Sequence, residues 1–309
     1  MKCTRCGGHA EVKLRRHNAN FCRDCFVPHV HRQVERSISK HRMIARDERV
    51  LVGVSGGKDS LALWDILIEL GYKTTGLHLS LGIGSYSDAS TEKTVAFAKA
   101  RDLPLVTVSL REEGLAVDDA TAFTNRPACS ACGTLKRHYF DKLAYERGFP
   151  VVATGHNLDD EAARLLGNVL HWHMDYLSRQ HPVLHSTHEK FVRKVKPMYR
   201  CSEYESAAYC FFRGIDYIIE ECPNSVGATQ LNHKHILNQL EATSPGSKLA
   251  FVQEFIDKAQ PRLRDVESSP PRTCEGCGMP SYAELCSRCR LLREVASKRE
   301  RRDAGRVSP

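Results

Sequence analysis

The spacing of apolar and polar residues predicts that short strands and helices alternate along most of the chain. Residues 50–54 form a short apolar run with charge on one side and glycines on the other, a pattern typical of a buried parallel strand. Further strands are predicted at residues 74–81, 105–110, 150–154, 192–198 and 217–220. Helices are predicted at residues 29–46, 61–70, 88–101, 135–147, 155–171, 202–213 and 224–261. This alternation predicts an α/β fold with a parallel sheet and right-handed crossovers.

The first predicted strand of this sheet leads into a glycine-rich loop with the sequence Ser55-Gly56-Gly57-Lys58-Asp59-Ser60. The glycines allow a tight turn, and the helix that follows points its backbone N–H groups and positive dipole end at the loop, which suits phosphate. The spacing differs from the Walker loop and from the dinucleotide G-x-G-x-x-G pattern. It resembles the pyrophosphate loop of the ATP pyrophosphatases, which cleave ATP between the α and β phosphates.

Two other motifs follow predicted strands and therefore lie at the same edge of the sheet, where ligands bind in α/β folds. Leu79 lies near the end of the second strand, and residues 155–160 follow the fourth. Asp159, Asp160 and Glu161 then place three carboxylates in the first turn of a helix, whose N-terminus they stabilise. Glu161 fits that role, whereas Asp160 is a candidate Mg²⁺ ligand or general base because it shares the edge with the phosphate loop.

Composition narrows the class of protein. The chain has 309 residues, is 41% hydrophobic, and lacks an apolar run long enough to span a membrane. Cys3 and Cys6 stand where a signal peptide would need an apolar core, so a cytoplasmic protein without membrane contact is expected. The net charge of +8 favours a polyanionic partner, and the 13 cysteines favour metal ligands over disulfides in that compartment.

Eight of the cysteines form two sets with the spacing of four-thiolate zinc ribbons. The sets are Cys3, Cys6, Cys22 and Cys25, and Cys274, Cys277, Cys286 and Cys289. Each C-x-x-C pair supplies two thiolates to one tetrahedral Zn²⁺, and metal binding contributes on the order of 10 kcal/mol to the folding of such short segments. Histidines 9, 17, 29 and 31 are interpreted as surface residues because the first set already has four ligands.

The remaining cysteines include a third C-x-x-C pair, Cys129 and Cys132, just before a predicted helix. A redox dithiol, half of a zinc site and part of an iron–sulfur site all fit this pair. Cys222 follows a predicted strand and is free to reach the same edge of the sheet. Cys201 and Cys210 accompany an amphipathic helix and are interpreted as buried structural residues. Three thiolates are thus available, one fewer than usually completes a cluster.

Four motifs together resemble the TtcA/TtuA family of tRNA thiolases. They are Ser-Gly-Gly-Lys-Asp-Ser, Cys-Ser-Ala-Cys-Gly, Thr-Gly-His-Asn-Leu-Asp-Asp and Glu-Cys-Pro-Asn, framed by the terminal cysteine sets. The likeness covers essentially the whole chain apart from the basic tail, and the terminal ribbons point to the branch that modifies the T-loop 5-methyluridine. It implies an adenine-nucleotide α-hydrolase-like core with zinc ribbons at both ends. It also implies a 4Fe-4S cluster held by Cys129, Cys132 and Cys222, with one iron open to sulfide.

The resemblance also implies roles for individual residues. The positions that match the family's ATP-binding and catalytic residues are Gly53, Ser55, Gly56, Gly57, Lys58, Asp59, Ser60, Leu79, Lys136, Gly155 and Asp160. The loop backbone and Lys58 are expected to hold the β and γ phosphates, and the Leu79 backbone to contact adenine. Lys136 would offset charge on the α phosphate, while Asp59 and Asp160 position Mg²⁺ and substrate. Some relatives have histidine where this chain has Cys25, and either residue binds zinc.

The expected organisation is an N-terminal ribbon (1–30), a linker helix (31–48), a PP-loop ATP pyrophosphatase domain (49–265), a C-terminal ribbon (270–292) and a basic tail (293–309). Residues 268–271 are interpreted as a linker, and the tail as either solvated or in contact with RNA. The histidines between residues 180 and 190 are interpreted as part of a surface loop. In the predicted helix 224–261, Lys234 and His235 are expected to point outward.

The resulting hypothesis is tRNA 2-thiolation through ATP-dependent adenylation of a uridine C2 oxygen. The expected partners are tRNA, a ubiquitin-like carrier protein with a C-terminal thiocarboxylate, and a second copy of the chain in a homodimer. Three alternatives stay open: thiolation of wobble uridine by the same chemistry, a PP-loop ligase with a redox Cys129/Cys132 pair, and a zinc-ribbon RNA-binding module with a vestigial ATP site.

Overall fold

The computed structural model describes residues 1–225, 227, 229–263 and 270–306. At the N-terminus, strands β1 (Val12–Leu14) and β2 (Ala19–Phe21) form an antiparallel hairpin that leads into helix α1 (Arg23–His41). The sequence predicted this helix only from residue 29. It begins earlier because its buried stripe, Phe26, Val30, Val34 and Ile38, already starts at Phe26, with the four-residue spacing of a helix face.

A six-stranded sheet forms the centre of the chain and confirms the predicted α/β class. Its elements are β3 (Arg49–Val54), α2 (Lys58–Glu69), β4 (Lys73–Ser80), α3 (Gly84–Ala100), β5 (Leu105–Ser109), α4 (Val117–Phe123), α5 (Ala128–Glu146), β6 (Val151–Thr154), α6 (Leu158–Leu170), α7 (Met174–Ser178), β7 (Val183–Leu184), β8 (Arg193–Val195) and α8 (Glu203–Arg213). The strand order is β5-β4-β3-β6-β8-β7, and every pair is parallel except β7 with β8.

Helices cover both faces of this sheet, and β3 shows how the sequence achieves this. Val50, Val52 and Val54 belong to one hydrophobic cluster, which includes α1, α2, α6 and α8. Leu51 belongs to a second cluster on the opposite face, which includes α4 and α5. Side chains alternate across a strand, so a continuous apolar run is what a strand buried on both faces requires.

The predicted strand at residues 217–220 is wrong, because this segment does not join the sheet. The Ile218 N–H instead donates to the carbonyl oxygen of Gly56, at 2.9 Å. Ile218 is buried while Ile219 is exposed, so the apolar residues of this segment pack beside the glycine loop instead of forming a strand. The segment therefore supports the loop directly.

The C-terminal part of the chain begins with helices α9 (Thr229–Thr243) and α10 (Ser247–Glu254). A short hairpin, β9 (Arg272–Thr273) with β10 (Pro280–Ser281), then precedes helix α11 (Ser287–Arg306). Much of the predicted basic tail is therefore helical, and α11 packs on the core through Leu291 and Val295, which are buried. The predicted linker lies partly outside the described residues, as do residues 307–309.

Three of the histidines interpreted as surface residues are at least partly buried. His29 is 7% exposed. His31 contacts the Tyr209 hydroxyl at 2.9 Å, and His17 packs edge-on against His29. His181, from the predicted surface loop, likewise packs against His41. Within the described part of the chain, no helix has the length and apolar character needed to cross a membrane.

Candidate active site

The glycine-rich loop joins β3 to α2, and its conformation depends on hydrogen bonds within the loop. The Ser60 hydroxyl accepts from the Ser55 N–H at 3.0 Å and donates to the Gly57 carbonyl at 3.0 Å. Gly56 has a φ of +72°, and a Cβ there would lie 2.5 Å from the Ser90 carbonyl oxygen. Glycine is therefore required at position 56 by both backbone conformation and space. Helix α2 begins at Lys58, so the loop ends at a positive helix terminus.

The loop after β6 lies directly against the glycine-rich loop. A Cβ on Gly155 would lie 2.8 Å from the backbone of Asp59 and Ser60. Two residues later, the Asn157 side chain caps α6, with Oδ1 accepting from the Asp160 N–H at 3.0 Å. Its Nδ2 donates to Asp59 Oδ1 at 3.0 Å. The Asn157 backbone N–H donates to Asp160 Oδ2 at 3.2 Å, so the buried Asn157 contacts both carboxylates and fixes them relative to each other.

A network of charges connects these carboxylates to α8 and α9. The Lys58 ammonium lies 3.0 Å from Asp59 Oδ2 and 3.7 Å from Glu203. The Lys234 ammonium lies 2.6 Å from Asp160 Oδ1 and 2.8 Å from Glu203. Glu203 therefore lies between two lysines, each of which also contacts one of the two candidate catalytic aspartates.

The two aspartates differ in acidity. Burial raises the pKa of Asp59 above its ordinary value, and the Lys58 ammonium offsets this only in part. Burial acts in the same direction on Asp160, but the Lys234 ammonium outweighs it, and the pKa of Asp160 is lowered. Asp160 is therefore ionised at neutral pH, as a Mg²⁺ ligand or general base must be.

The prediction that the Lys234 side chain points outward is wrong. Helix α9 packs on α6, and the Lys234 side chain is only 16% exposed. The apolar residues of α9 do not mark one buried face, since Leu237 is buried while Leu231, Ile236 and Leu240 are exposed. The sequence therefore offered no signal for Lys234 or Glu203. Asn157 could have been found, because it stands three residues before Asp160, at the capping position of the helix.

A cavity of about 320 Å³ opens at the carboxyl ends of β3, β4 and β6. The predicted residues that line it are Gly53, Ser55, Asp59, Ser60, Leu79, Lys136, Gly155 and Asp160. Gly56, Gly57 and Lys58 complete the loop beside it. Leu77, Leu79 and Leu81 give part of the lining an apolar surface, and Ser55 and Ser60 of the glycine-rich loop line the cavity together with Lys136. This combination fits a nucleotide, with the base on the apolar wall and phosphates at the loop.

The three remaining candidate cysteines meet beside this cavity. Cys129 and Cys132 lie in the first two turns of α5, and Cys222 precedes a short turn, Pro223–Ser225, that packs on α5. The Cys129 thiol contacts the Asn224 carbonyl oxygen at 3.4 Å. Cys132 and Cys222 pack against the same hydrophobic cluster, so the three thiols lie in one neighbourhood. Burial raises the pKa of Cys222, and the charges of Cys132 and Cys129 raise it further.

Tyr86 and Lys136 connect the thiols to the cavity. Tyr86 lines the cavity, and its pKa is raised by burial and by the charges of Cys222 and Cys132. Lys136 lines the cavity too, one helical turn after Cys132 on α5. The cavity and the three thiols therefore adjoin.

Cys201 and Cys210 are buried away from this thiol group, which agrees with the structural role inferred from the sequence. Burial raises the pKa of Cys210 to about 12 and also raises that of Cys201, so both stay protonated at neutral pH. The Cys210 thiol contacts the Lys58 carbonyl oxygen at 3.4 Å, where it packs beneath the glycine-rich loop.

Each terminal set of four cysteines gathers at one point. Within each set, all four sulfur atoms lie within 4.8 Å of one another, as one tetrahedral metal ion requires. Backbone N–H groups, first that of Cys6, lower the pKa of Cys3 to about 6. In the second set, burial raises the pKa of Cys274. Backbone N–H groups, beginning with that of Cys286, outweigh burial and lower this pKa to about 6. Burial raises the pKa of Cys25 to about 12 and also raises that of Cys277, so each set holds one readily ionised thiol and at least one that a bound metal ion would have to deprotonate.

We expect Gly155→Ala to weaken ATP binding by about tenfold or more, because the new Cβ would displace the Asp59 backbone and the loop. Isothermal titration with ATP measures this. Gly57→Ala is the matched control, since a Cβ there meets nothing closer than the Ser55 hydroxyl at 3.7 Å and the φ of −84° suits any residue. Equal ATP affinity in the Gly155→Ala variant and the unmodified chain would contradict the close approach of the two loops.

Two family models match the chain. The 2-thiouridine synthetase TtuA N-terminal LIM domain matches residues 2–27, and the PP-loop domain matches residues 27–227. Among solved structures, the U34-tRNA thiolase NcsA from Methanococcus maripaludis, determined with its [4Fe-4S] cluster, has a TM-score of 0.79 and 25% sequence identity. The alignment covers 95% of this chain and 96% of that one.

Curated relatives are closer in sequence. A tRNA-5-methyluridine(54) 2-sulfurtransferase from Thermus thermophilus is 47% identical over 98% of this chain and 94% of its own length. A protein of the same name from Thermotoga maritima is 40% identical over 98% of this chain and its full length. A similarity of this extent, together with the PP-loop domain, the adjoining thiols and the terminal cysteine sets, shows that the chain belongs to the tRNA-5-methyluridine(54) 2-sulfurtransferase family.

Proposed function

We propose that this chain is a tRNA 2-thiolase that adenylates the C2 oxygen of a uridine and replaces that oxygen with sulfur. The observation that supports the proposal is that α5 carries both Lys136, which lines the cavity at the glycine-rich loop, and Cys129 and Cys132, while Tyr86 of the cavity lining packs on the same hydrophobic cluster as Cys132 and Cys222. An ordinary ATP pyrophosphatase needs the cavity but not the thiols. The relatives at 40–47% identity support 5-methyluridine in the T-loop as the substrate.

The three thiols fit a 4Fe-4S cluster better than a single metal ion. Among the described residues, they do not form a group as tight as the terminal sets. Cluster ligands are spread more widely, because each thiolate binds a different iron atom. A bound cluster would have one iron without a protein ligand and would supply a Lewis-acidic position that carries sulfide. The solved relative with a [4Fe-4S] cluster supports this assignment.

The residues of the cavity would hold ATP in one orientation. Backbone N–H groups of the glycine-rich loop and Lys58 bind the β and γ phosphates, and the Leu79 backbone contacts adenine. Lys136 offsets the negative charge of the α phosphate, on the side of the cavity that faces the thiols. Asp59 and Asp160 hold Mg²⁺ and position the uridine, and Asn157 keeps the two carboxylates in place.

The reaction then has two displacements. The uridine C2 oxygen attacks the α phosphate, and pyrophosphate leaves. Sulfide next attacks C2, and AMP leaves with the former C2 oxygen. Adenylation is needed because the unmodified C2 oxygen is a poor leaving group, whereas AMP is a good one. The cavity residues act in the first displacement, while the adjoining thiols keep the sulfur next to the same base. The base must leave its stack to reach the cavity.

Further partners follow from the rest of the chain. The net charge of +8 and the ribbons suit contact with tRNA phosphates. Each terminal cysteine set would hold one structural Zn²⁺, which makes two zinc ions per chain. A ubiquitin-like carrier protein with a C-terminal thiocarboxylate is the proposed sulfur source, and a homodimer is the proposed assembly.

Wobble-uridine thiolation is the second candidate function, because the solved relative is a U34-tRNA thiolase. The two candidates share their chemistry and differ only in which base enters the cavity. We favour the T-loop because the relatives with that activity in their names are 40–47% identical, against 25% for the U34-tRNA thiolase.

The test uses the anaerobically purified chain with ATP, sulfide and tRNA, followed by mass spectrometry of nucleosides and of mapped fragments. We expect brown protein with about four irons and four labile sulfides per chain, and 2-thiolation at tRNA position 54. Matched tRNAs that lack uridine at either position 54 or position 34 identify the modified base. Thiolation that depends on position 34 would favour the second candidate. Colourless protein that contains zinc alone and forms no thiouridine would contradict both.

A further inference from the structure

A third group of metal-ligating side chains lies apart from both cysteine sets and from the cavity. One nitrogen of His17, one of His29 and one oxygen of Glu205 all lie within 4.8 Å of one another. His17 ends a short turn, Arg15–His17, between β1 and β2, while His29 is on α1 and Glu205 is in the first turn of α8. Three separate segments therefore bring these atoms together.

Glu205 divides its contacts unequally between its two oxygens. The side chain is fully buried, and Oε2 accepts from Arg16 Nη2, from the Ser202 N–H at 2.7 Å and from the Ser202 hydroxyl at 2.8 Å. Oε1 lies 3.7 Å from His17 Nε2 and 4.0 Å from His29 Nε2. These separations are too long for hydrogen bonds. All three atoms are buried and have no hydrogen-bond partner among the described residues.

Such an arrangement is costly unless something binds there. A buried polar atom that has lost its water and gained no partner destabilises the folded state. The separations are instead close to those around a metal ion, since two ligands about 2.0 Å from one tetrahedral ion lie about 3.3 Å apart. The Glu205 oxygen and each histidine nitrogen would need to approach by about 0.4–0.7 Å to reach this separation.

The protonation states also suit metal binding. Burial opposes ionisation of Glu205, but the Arg16 guanidinium and the hydrogen bonds to the carboxylate outweigh it and lower its pKa to about 2. Burial and the nearby His17 lower the pKa of His29 to about 4. At neutral pH, Glu205 is a carboxylate and His29 a neutral imidazole, and both can donate a lone pair.

We propose that His17, His29 and Glu205 bind a Zn²⁺ ion that fastens the N-terminal ribbon and α1 to α8 of the core. Two histidines and one carboxylate are an established zinc ligand set, with water as the fourth ligand. Arg16 Nε and Nη1 are also buried without partners. They can only donate hydrogen bonds, so they cannot ligate the ion, but they can donate to a hydroxide bound to it. Arg16 also neutralises the second oxygen of Glu205, which limits the charge of the site.

The test is metal analysis and zinc titration of the full-length chain. We expect about three zinc ions per chain, two in the cysteine sets and one at this site. After brief chelation removes the more weakly held ion, Zn²⁺ should rebind with one site per chain and raise Tm. His17→Asn and His29→Gln should each weaken this rebinding on the order of 100-fold and abolish the rise in Tm.

His9→Asn is the matched control, since His9 is an exposed histidine of the same ribbon. It should retain the third zinc ion and the rise in Tm. Circular dichroism before chelation verifies that each variant is folded. Two zinc ions per chain with no rebinding site in the unmodified protein would overturn the proposal, as would a third ion retained by both folded histidine variants. A third ion that proves to be iron would keep the site and change the metal, because this ligand set also binds Fe²⁺.

Discussion

Cys222→Ser should lower tRNA thiolation by about 100-fold or more, equivalent to about 2.7 kcal/mol of lost transition-state stabilisation, while tRNA binding is retained. Cys222 lies with Cys132 and Cys129 beside the cavity, and serine is a far poorer ligand for iron than a thiolate. The measurements are the thiolation rate, the iron content per chain and the tRNA affinity. Iron content should fall together with the rate, since two thiols do not hold the cluster.

Cys201→Ala is the control, because it removes a fully buried thiol that lies outside this group. It should lower the free energy of unfolding by about 1–2 kcal/mol and leave the iron content unchanged. Undiminished thiolation by the Cys222→Ser variant would remove Cys222 from the proposed site. Loss of tRNA affinity in that variant would show that Cys222 acts in binding rather than in sulfur transfer.

Asp160→Asn should slow the adenylation step by about 100- to 1000-fold without changing the iron content. Asparagine keeps the shape of the side chain but loses the charge that Lys234 and the proposed Mg²⁺ face. Because the carboxylate is ionised at neutral pH in the unmodified chain, the substitution removes a charge that is present under assay conditions. The rate of tRNA-dependent pyrophosphate release measures the effect.

Asp159→Asn tests whether this loss belongs to Asp160 or to the helix terminus in general. Asp159 forms a buried ion pair with Lys248 and accepts from the Glu203 N–H at 2.8 Å. Its replacement should therefore lower the free energy of unfolding by about 3–5 kcal/mol, with a smaller effect on the rate of the folded enzyme. Equal losses of rate in the two folded variants would argue against a specific role for the Asp160 carboxylate.

Features of the site that depend on local sequence could be predicted. The apolar run 50–54, the two glycines and the helix after them specify strand, loop and helix through neighbouring residues alone. The rule that ligands bind at the carboxyl ends of parallel strands then placed Leu79, Gly155 and Asp160 around one cavity. The two cysteine sets could be predicted because their spacing reflects the geometry of a metal ion.

Features that depend on contacts between distant segments could not be predicted. Residues 217–220 begin with a short apolar run that predicts a strand, yet the Ile218 N–H donates to the carbonyl oxygen of Gly56. Lys234 reaches Asp160 only because α9 packs on α6, and nothing in the sequence of α9 specifies that packing. His17 and His29 are buried because Glu205 approaches from α8. In each case the partner lies far along the chain.

The placement of two site residues on helix α5 limits where the sequence of this enzyme can gain or lose residues. Cys132 and Lys136 stand four residues apart on it, so about 6 Å of helix rise separates a proposed cluster ligand from a residue that lines the nucleotide cavity. Inserting a single residue between them would rotate Lys136 by about 100° around the helix axis relative to Cys132. The two side chains would then no longer face the same uridine base. Natural insertions and deletions are therefore expected in the loops around α5 but not within its first two turns.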